Sequence, residues 1–250
     1  MQTQYNEIIN SFVDKYGLSR DQVVAEIEKV FSAMLSRWHG TNTVVLFGLD
    51  HLQAIRYING VGVTCQDQPE LVSMNGWNTI RRMIDKNLSR AACLHEVNHY
   101  KRHEHEMRWG EIIRKNNEGL LVEIELEKDT PILAQCPWNR IGVHEQEELL
   151  VGQNRAFHLR RIEPVLLRGI TRFHVVIDRV SKNLVIGLLR DQLGVQADLR
   201  LYCPKRYVGH KSFVEASKFL PKKIIKAVSQ ELREHIQVTI INSRIAKLNR

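Results

Sequence analysis

The hydrophobic period of the chain changes at Gly110, and no other feature narrows the choice of fold as far. Before it, apolar residues recur every three or four positions, the spacing of an amphipathic helix. Ile8, Ile9, Phe12, Val13 and Tyr16 form one such stripe, closed by Gly17. Val23, Ile27, Val30, Phe31, Met34 and Trp38 form a second, closed by Gly40, and Ser19 with Gln22 three residues on supplies its capping box. TVVLFG (43–48) and VGVTC (61–65) are β-branched and apolar and predict short strands, with Gly60 and Gly62 as turn or bulge positions. From Asn78 to about Arg108 there is no Gly or Pro, and Ile80, Met83, Ile84, Leu88, Ala91, Ala92 and Leu94 predict one long helix, very polar after His95 and ending before Gly110.

Beyond Gly110 the apolar residues alternate. GEIIRKNNEGLLVEIELEKDTPILAQC predicts a strand, a tight turn at Asn117-Glu118-Gly119, a second strand and a third around Pro131 to Cys136. NRAFHLRRIEPV and TRFHVVIDRV predict two more, separated by a turn at Leu167-Arg168-Gly169, and a short helical piece comes next, near Leu188 to Leu193. Five short strands in so compact a stretch predict a small Greek-key barrel of the oligonucleotide-binding (OB) type. LRLYC and KSFVEAS then predict strands, Ile224, Ile225, Val228, Leu232 and Ile236 the apolar face of a helix after Pro221, and IQVTII a final strand. The fold class is therefore α+β. A helical and mixed N-terminal domain with a long connecting helix (1–109) precedes the five-stranded OB-type barrel (110–194) and a small basic αβ module (195–250).

Composition decides what such a chain can do. An apolar content of 43% supplies real cores for 250 residues. No run of about eighteen apolar residues occurs, and MQTQYNEIINSF lacks the layout of a signal peptide, so the expected location is cytoplasmic, with no membrane partner. Cys65, Cys93, Cys136 and Cys203 lie far apart with no C-x-x-C pair, which predicts reduced structural thiols. From Leu201 to Arg250 eleven Lys or Arg face three acidic residues, and this segment holds the entire net charge of +8. A block of that kind suits phosphate backbones or an acidic protein surface. No phosphate-binding glycine loop, nucleophile elbow or Cys/His nucleophile signature is present, so the reading is non-enzymatic.

One string points elsewhere. HEVNHYKRHEHEMRW (95–109) contains H-E-x-x-H, which would place His95 and His99 on one helix face for zinc, with Glu96 as the base for a metal-bound water. A catalytic site needs a third protein ligand. His103 on a straight helix would lie about 12 Å from His95 along the axis, too far to share an ion. His105 could serve only if the chain turned sharply after His99, and no Gly or Pro between them calls for a turn. His105 stands six residues after His99, which resembles the spacing in a group of bacterial zinc peptidases. Asn98, Lys101, Arg102 and Glu104 surround the string as on a solvated helix. No cofactor is therefore the main expectation, and a zinc hydrolase built on His95, His99 and His105 the alternative.

The order of parts carries a resemblance of its own. INSFVDKYGLSRDQVVAEIEKVFSAMLSRWHG resembles the opening of the bacterial transcription factor NusA family. IRRMIDKNLSRAACLHEVNHYKRHEHEMRWGEIIRKNNEGLLVEI is similar to that family's long charged helix running into its RNA-binding barrel. VGQNRAFHLRRI and VVIDRVSKNLVIGLL resemble the later barrel strands and the closing corner, here Asp178-Arg179-Val180-Ser181. The resemblance implies N-terminal helices that dock on RNA polymerase and a barrel that holds nascent RNA during elongation, termination or antitermination. That family continues into two tandem KH domains, each with a G-x-x-G loop. Here about fifty-five residues remain, and the nearest string, Gly209-His210-Lys211-Ser212, lacks the second glycine, so the tail would be at most a reduced KH-like unit.

Single-stranded RNA is thus the expected partner, held by basic side chains on the phosphates and by aromatics under the bases. Alternation places Arg155, Phe157, Leu159 and Arg161 on one face of their strand and Ala156, His158 and Arg160 on the other. Arg155, His158, Arg160, Arg172 and His174 are surface candidates, Phe157 and Phe173 are either platforms or core, and Trp138 and Arg140 are loop contacts. The tail adds Lys205, Arg206, Lys211, Lys218, Lys222, Lys223 and Lys226, with Tyr202, Tyr207 and Phe213 interleaved, as one basic and aromatic patch. Binding of acidic protein partners by that patch is a further alternative.

Overall fold

The computed structural model describes residues 2–47, 52–58, 60–65, 77–194 and 199–241 and divides into two compact units. The first comprises residues 1–97 and 164–173, the second residues 98–163 and 174–250. The mixed α+β class expected from the sequence is observed. Six α-helices and three sheets lie within the described residues. None of these helices is long and apolar enough to cross a membrane.

In the first unit, α1 (Gln2–Tyr16) and α2 (Arg20–His39) match the expected stripes. Ser19 caps α2 reciprocally: Gln22 N–H donates to Ser19 Oγ (3.3 Å), and Ser19 N–H donates to Gln22 Oε1 (2.9 Å). Gly40 closes the helix in the left-handed region at φ 62°. The α2 stripe ends differently from expectation. Leu35 is buried, whereas Trp38 is 56% exposed, because the last turn runs past the core. Strands β1 (Thr43–Phe47), β2 (Leu52–Ile58) and β3 (Val61–Cys65) form an antiparallel sheet in chain order. Of these, β2 is not among the strands expected from sequence. With α3 (Trp77–Tyr100) they enclose a core centred on Phe12, Val23, Ile27, Phe31, Ile80, Ile84 and Leu88.

The predicted helix to Arg108 stops eight residues early. After Tyr100 come a 3-10 turn (Lys101–His103) and His105 in the left-handed region at φ 73°. The chain does turn here, without Gly or Pro, because the barrel begins to pair. His105 N–H donates to Leu159 O (2.7 Å), Leu159 N–H to Glu106 O (2.8 Å), and Ile162 N–H to the Glu104 carboxylate (2.6 Å). Strand β4 (Met107–Asn116) therefore starts three residues before Gly110, and Gly110 lies buried inside it. A Cβ at Gly110 would lie 2.6–2.8 Å from Ile124, Val122 and Glu123, so this position is reserved for glycine by close approach.

β5 (Gly119–Glu127), β6 (Thr130–Pro137), β7 (Asn154–Leu167) and β8 (Ile170–Asp178) complete a closed barrel in the order β4-β5-β6-β8-β7. The β6–β8 pairing is parallel, with Ala134 opposite Val175. Asn116 Oδ1 accepts from the N–H groups of Glu118 and Gly119 (2.9 Å each) and sets the β4–β5 turn. A one-turn helix, α4 (Val143–Gln146), lies between β6 and β7.

The short helical piece expected near Leu188 to Leu193 to end the barrel domain is the latter half of a longer helix, α5 (Lys182–Leu193), which packs on the C-terminal elements. Strands β9 (Leu201–Tyr207), β10 (Lys211–Ala216) and β11 (His235–Ile240), with α6 (Lys222–Leu232) before β11, form a sheet ordered β11-β10-β9. Leu184, Val185, Leu188 and Leu189 of α5 join Val228 and Leu232 of α6, Val214, Ile236 and Ala156 of β7 in one core. The expected boundary at residue 194 falls inside this unit.

Candidate nucleic-acid interface

Each strand of the C-terminal sheet buries alternate residues. Leu201, Cys203, Ser212, Val214, Ala216 and Ile236 face the helices. Their neighbours face outward: Tyr202, Lys205 and Tyr207 on β9, Lys211, Phe213 and Glu215 on β10, and His235, Gln237 and Thr239 on β11. Tyr202 is 63% exposed and Tyr207 47%.

On this face rings and cations interleave. Lys205 Nζ stands 4.6 Å from the Tyr207 ring centre and Lys211 Nζ 5.0 Å from that of Phe213. The two rings meet edge to face at 6.3 Å. At such exposure each cation–π contact contributes about 0.5–1 kcal/mol, enough to hold the groups in place yet less than a stacked base returns. The arrangement can stack planar rings while neutralising anions beside them.

A bulge in β9 decides which side chains reach this face. Phe213 pairs with Lys205 and Glu215 with Tyr202, so three steps of β9 oppose two of β10. Lys205 thereby points out and Arg206 in. The Arg206 side chain is almost wholly buried, 2.8 Å from Glu234, and it donates to Ser181 O (2.6 Å). Glu234 also accepts from Ser212 Oγ (2.8 Å) and Gly209 N–H (3.1 Å). Burial alone would push the Glu234 carboxyl up, but Arg206 and these donors outweigh it and hold it below the ordinary range. Arg206, expected as a contact, is a structural cation.

The barrel candidates are mostly corrected in the same way. Phe157 is fully buried, and drawing it out would vacate the core at about 3–5 kcal/mol, more than the roughly 1–3 kcal/mol a base returns. His158 is buried against Asp178 (3.1 Å). Arg155 is held by Glu231 (3.0 Å), and the half-exposed Arg160 leans toward Asp178 (3.5 Å). Burial would raise the Asp178 carboxyl, but hydrogen bonding and charge from His158, with Ser181 N–H and Arg160, keep it low. Trp138 is half-buried, donates from Nε1 to Asn116 O (2.9 Å) and lies 5.3 Å from Lys115 Nζ. Arg140 is half-exposed beside it. His174 bonds Gln135 (3.0 Å). Arg172 and Phe173 belong to the first unit, where they line a cavity of about 410 Å³ with Lys15 and Tyr16. The exposed side chains of β5 include Glu123 and Glu125, while those of β4 mix Glu111 with Arg114 and Lys115.

The tail patch is also divided. Lys222, Lys223 and Lys226 are exposed on α6, in the helical layer, while Lys205 and Lys211 stand on the opposite side of the sheet. Gly209-His210-Lys211-Ser212 runs through the β9–β10 turn into β10, not between two helices.

The residues of the zinc string are dispersed among other partners. His95 and Glu96 are exposed on α3. His99 bonds Glu127 (3.0 Å), and His105 stacks on His158 with ring centres 5.9 Å apart. Among the described residues no group of three or more His, Cys, Asp or Glu side chains is arranged to hold a metal ion.

Three residues with the best geometry, Tyr202, Tyr207 and Phe213, stand out in the sequence only as interleaved aromatics. Their period-two spacing on β9 and β10, with the lysines at matching positions, is the signal the sequence offers. Glu231 and Glu234, which take up the predicted Arg155 and Arg206, give none. Comparison of the chain with protein-family models and with curated proteins finds no match.

Proposed function

We propose that this chain is a non-enzymatic binder of single-stranded RNA, with the outer face of β9-β10-β11 as its contact surface. The observation that carries the reading is the Lys205–Tyr207–Phe213–Lys211 cluster, where two rings and two ammonium groups share one exposed sheet face. Bases stack on such rings without regard to sequence, and the lysines meet phosphates. The barrel order β4-β5-β6-β8-β7, closed by a parallel pair between its third and fifth strands, supports an OB-type assignment. In this reading the barrel is chiefly a scaffold, since Phe157 fills its core and Arg155 and His158 are taken up by carboxylates. The resemblance of the N-terminal helices and the closing corner to the NusA family supports a role in transcription elongation, termination or antitermination with RNA polymerase as protein partner. The single α6 between β10 and β11 supports, at most, a reduced KH-like unit without a G-x-x-G clamp.

The test is fluorescence anisotropy with a labelled twelve-nucleotide oligouridylate at low salt. Tyr207→Ala and Phe213→Ala are each expected to weaken binding about tenfold, the loss of one base stack. Unchanged affinity in both would sink the assignment of the face. Wild-type protein that binds no nucleic acid, even at low salt, would leave the acidic-partner reading.

A further inference from the structure

A groove of about 910 Å³ lies in the second unit between the start of β4, the length of α5 and the edge strand β9. Its floor is apolar, with Met107, Ile186, Gly187 and Leu201. The floor depends on close approach, since a Cβ on Gly187 would lie 2.5 Å from Met107 Cβ. Its rim is cationic. Arg108, Lys182 and Arg190 line it, together with His103 and His105. The two acidic groups in the groove are already engaged. Glu106 holds Arg108 (2.5 Å) and His103 (3.1 Å), and Asp191 accepts from Trp109 Nε1 (3.2 Å). Lys182 and Arg190 have no ion-pair partner among the described residues, and the Lys182 ammonium meets only the neutral Pro204 carbonyl.

Tyr202 belongs both to this groove and to the outer face of the sheet. β9 is an edge strand, so Tyr202 stands where the face meets the groove. We propose that the groove is a second subsite for the same single-stranded nucleic acid. It takes the one or two nucleotides that continue beyond the sheet, a base against Tyr202 over Met107 and Ile186, and phosphates on Lys182 and Arg190. A cavity of this size suits such an occupant, for small-ligand sites span roughly 300–1,000 Å³. Lys182 and Arg190 stand about 12 Å apart along the helix axis, so they serve different phosphates. This inference rests on the RNA-binding reading above.

The experiment measures affinity and its salt dependence for the twelve-nucleotide oligouridylate, using the full chain. Lys182→Glu/Arg190→Glu is expected to weaken binding at least about tenfold and to reduce the slope of log K against log salt by about 1.4, at roughly 0.7 per phosphate on a single strand. Lys182→Arg/Arg190→Lys is expected to bind as wild type. Lys86→Glu/Lys128→Glu changes the net charge equally at two residues that do not line the groove, and serves as the reference. A groove variant that weakens binding no more than this reference overturns the subsite. If it does so while Tyr207→Ala still weakens binding, the RNA-binding reading stands alone. Absence of binding by wild-type protein overturns both.

Discussion

Arg179 shows at the scale of a single residue how this protein treats its charges. Its guanidinium is fully buried, paired in a fork with Glu145 (2.5 and 3.0 Å) and with Glu231 (3.1 Å), and it donates to the carbonyls of Ala156 (2.7 Å) and Glu231 (3.0 Å). The pairs join the corner after β8 to α4, β7 and α6. A buried ion pair adds little over an apolar replacement, but removing one partner strands the other. Arg179→Ala leaves two carboxylates facing a cavity and is expected to destabilise the second unit by about 3–5 kcal/mol in urea unfolding. A loss below about 1 kcal/mol would mean that water reaches the site and that the cluster is not structural. Lysine cannot supply the fork and is expected to recover only part of the loss.

At the scale of elements, Glu234 ties four pieces of backbone together. It sits between α6 and β11 and receives Arg206 of β9, Gly209 of the β9–β10 turn and Ser212 of β10, while Arg206 reaches the carbonyl of Ser181 before α5. In the fold its carboxyl titrates below the ordinary value of 4.5. A carboxyl so depressed stabilises the native state above its unfolded pKa, and that contribution disappears as pH falls through the folded one. Melting temperatures from about pH 7 to about pH 3 are therefore expected to fall steeply below about 4.5, with Asp178 contributing in the same direction. Glu234→Gln should melt lower at neutral pH and show a flatter acid limb. An acid limb of unchanged steepness would remove this tie as a source of the pH dependence.

At the scale of the whole molecule the net charge of +8 resides in the C-terminal segment, and among the described residues its lysines fall on two surfaces. Lys205 and Lys211 share the sheet face with the aromatic rings, and Lys222, Lys223 and Lys226 lie on α6 in the helical layer. Contact at the sheet face predicts that Lys205→Glu/Lys211→Glu weakens RNA binding more than reversal of all three α6 lysines, although the latter changes the net charge more. Equal or opposite ranking in anisotropy titrations at a fixed salt concentration would move the contact to the helical side. Salt must be held constant because phosphate contacts make every such affinity salt-dependent.

Local sequence alone determined the elements whose causes are local. The α2 capping box, the stop at Gly40, the five barrel strands and the β9, β10, α6, β11 succession all arise from period, caps and turn residues within a few positions. Only the tertiary structure decided what depends on partners far along the chain. The polar end of α3 gives way to strand because Leu159 and Ile162 hydrogen-bond the residues just beyond it. Arg206 turns inward because a bulge shifts the alternation of β9 and because Glu234 waits 28 residues away. Arg155 is tied down and Arg179 leaves the surface because Glu231 lies 76 and 52 residues downstream. A lone arginine in a sequence reads as a surface charge. Whether it meets phosphate or a buried carboxylate is set by long-range packing, since a charge taken out of water must find its counterion there.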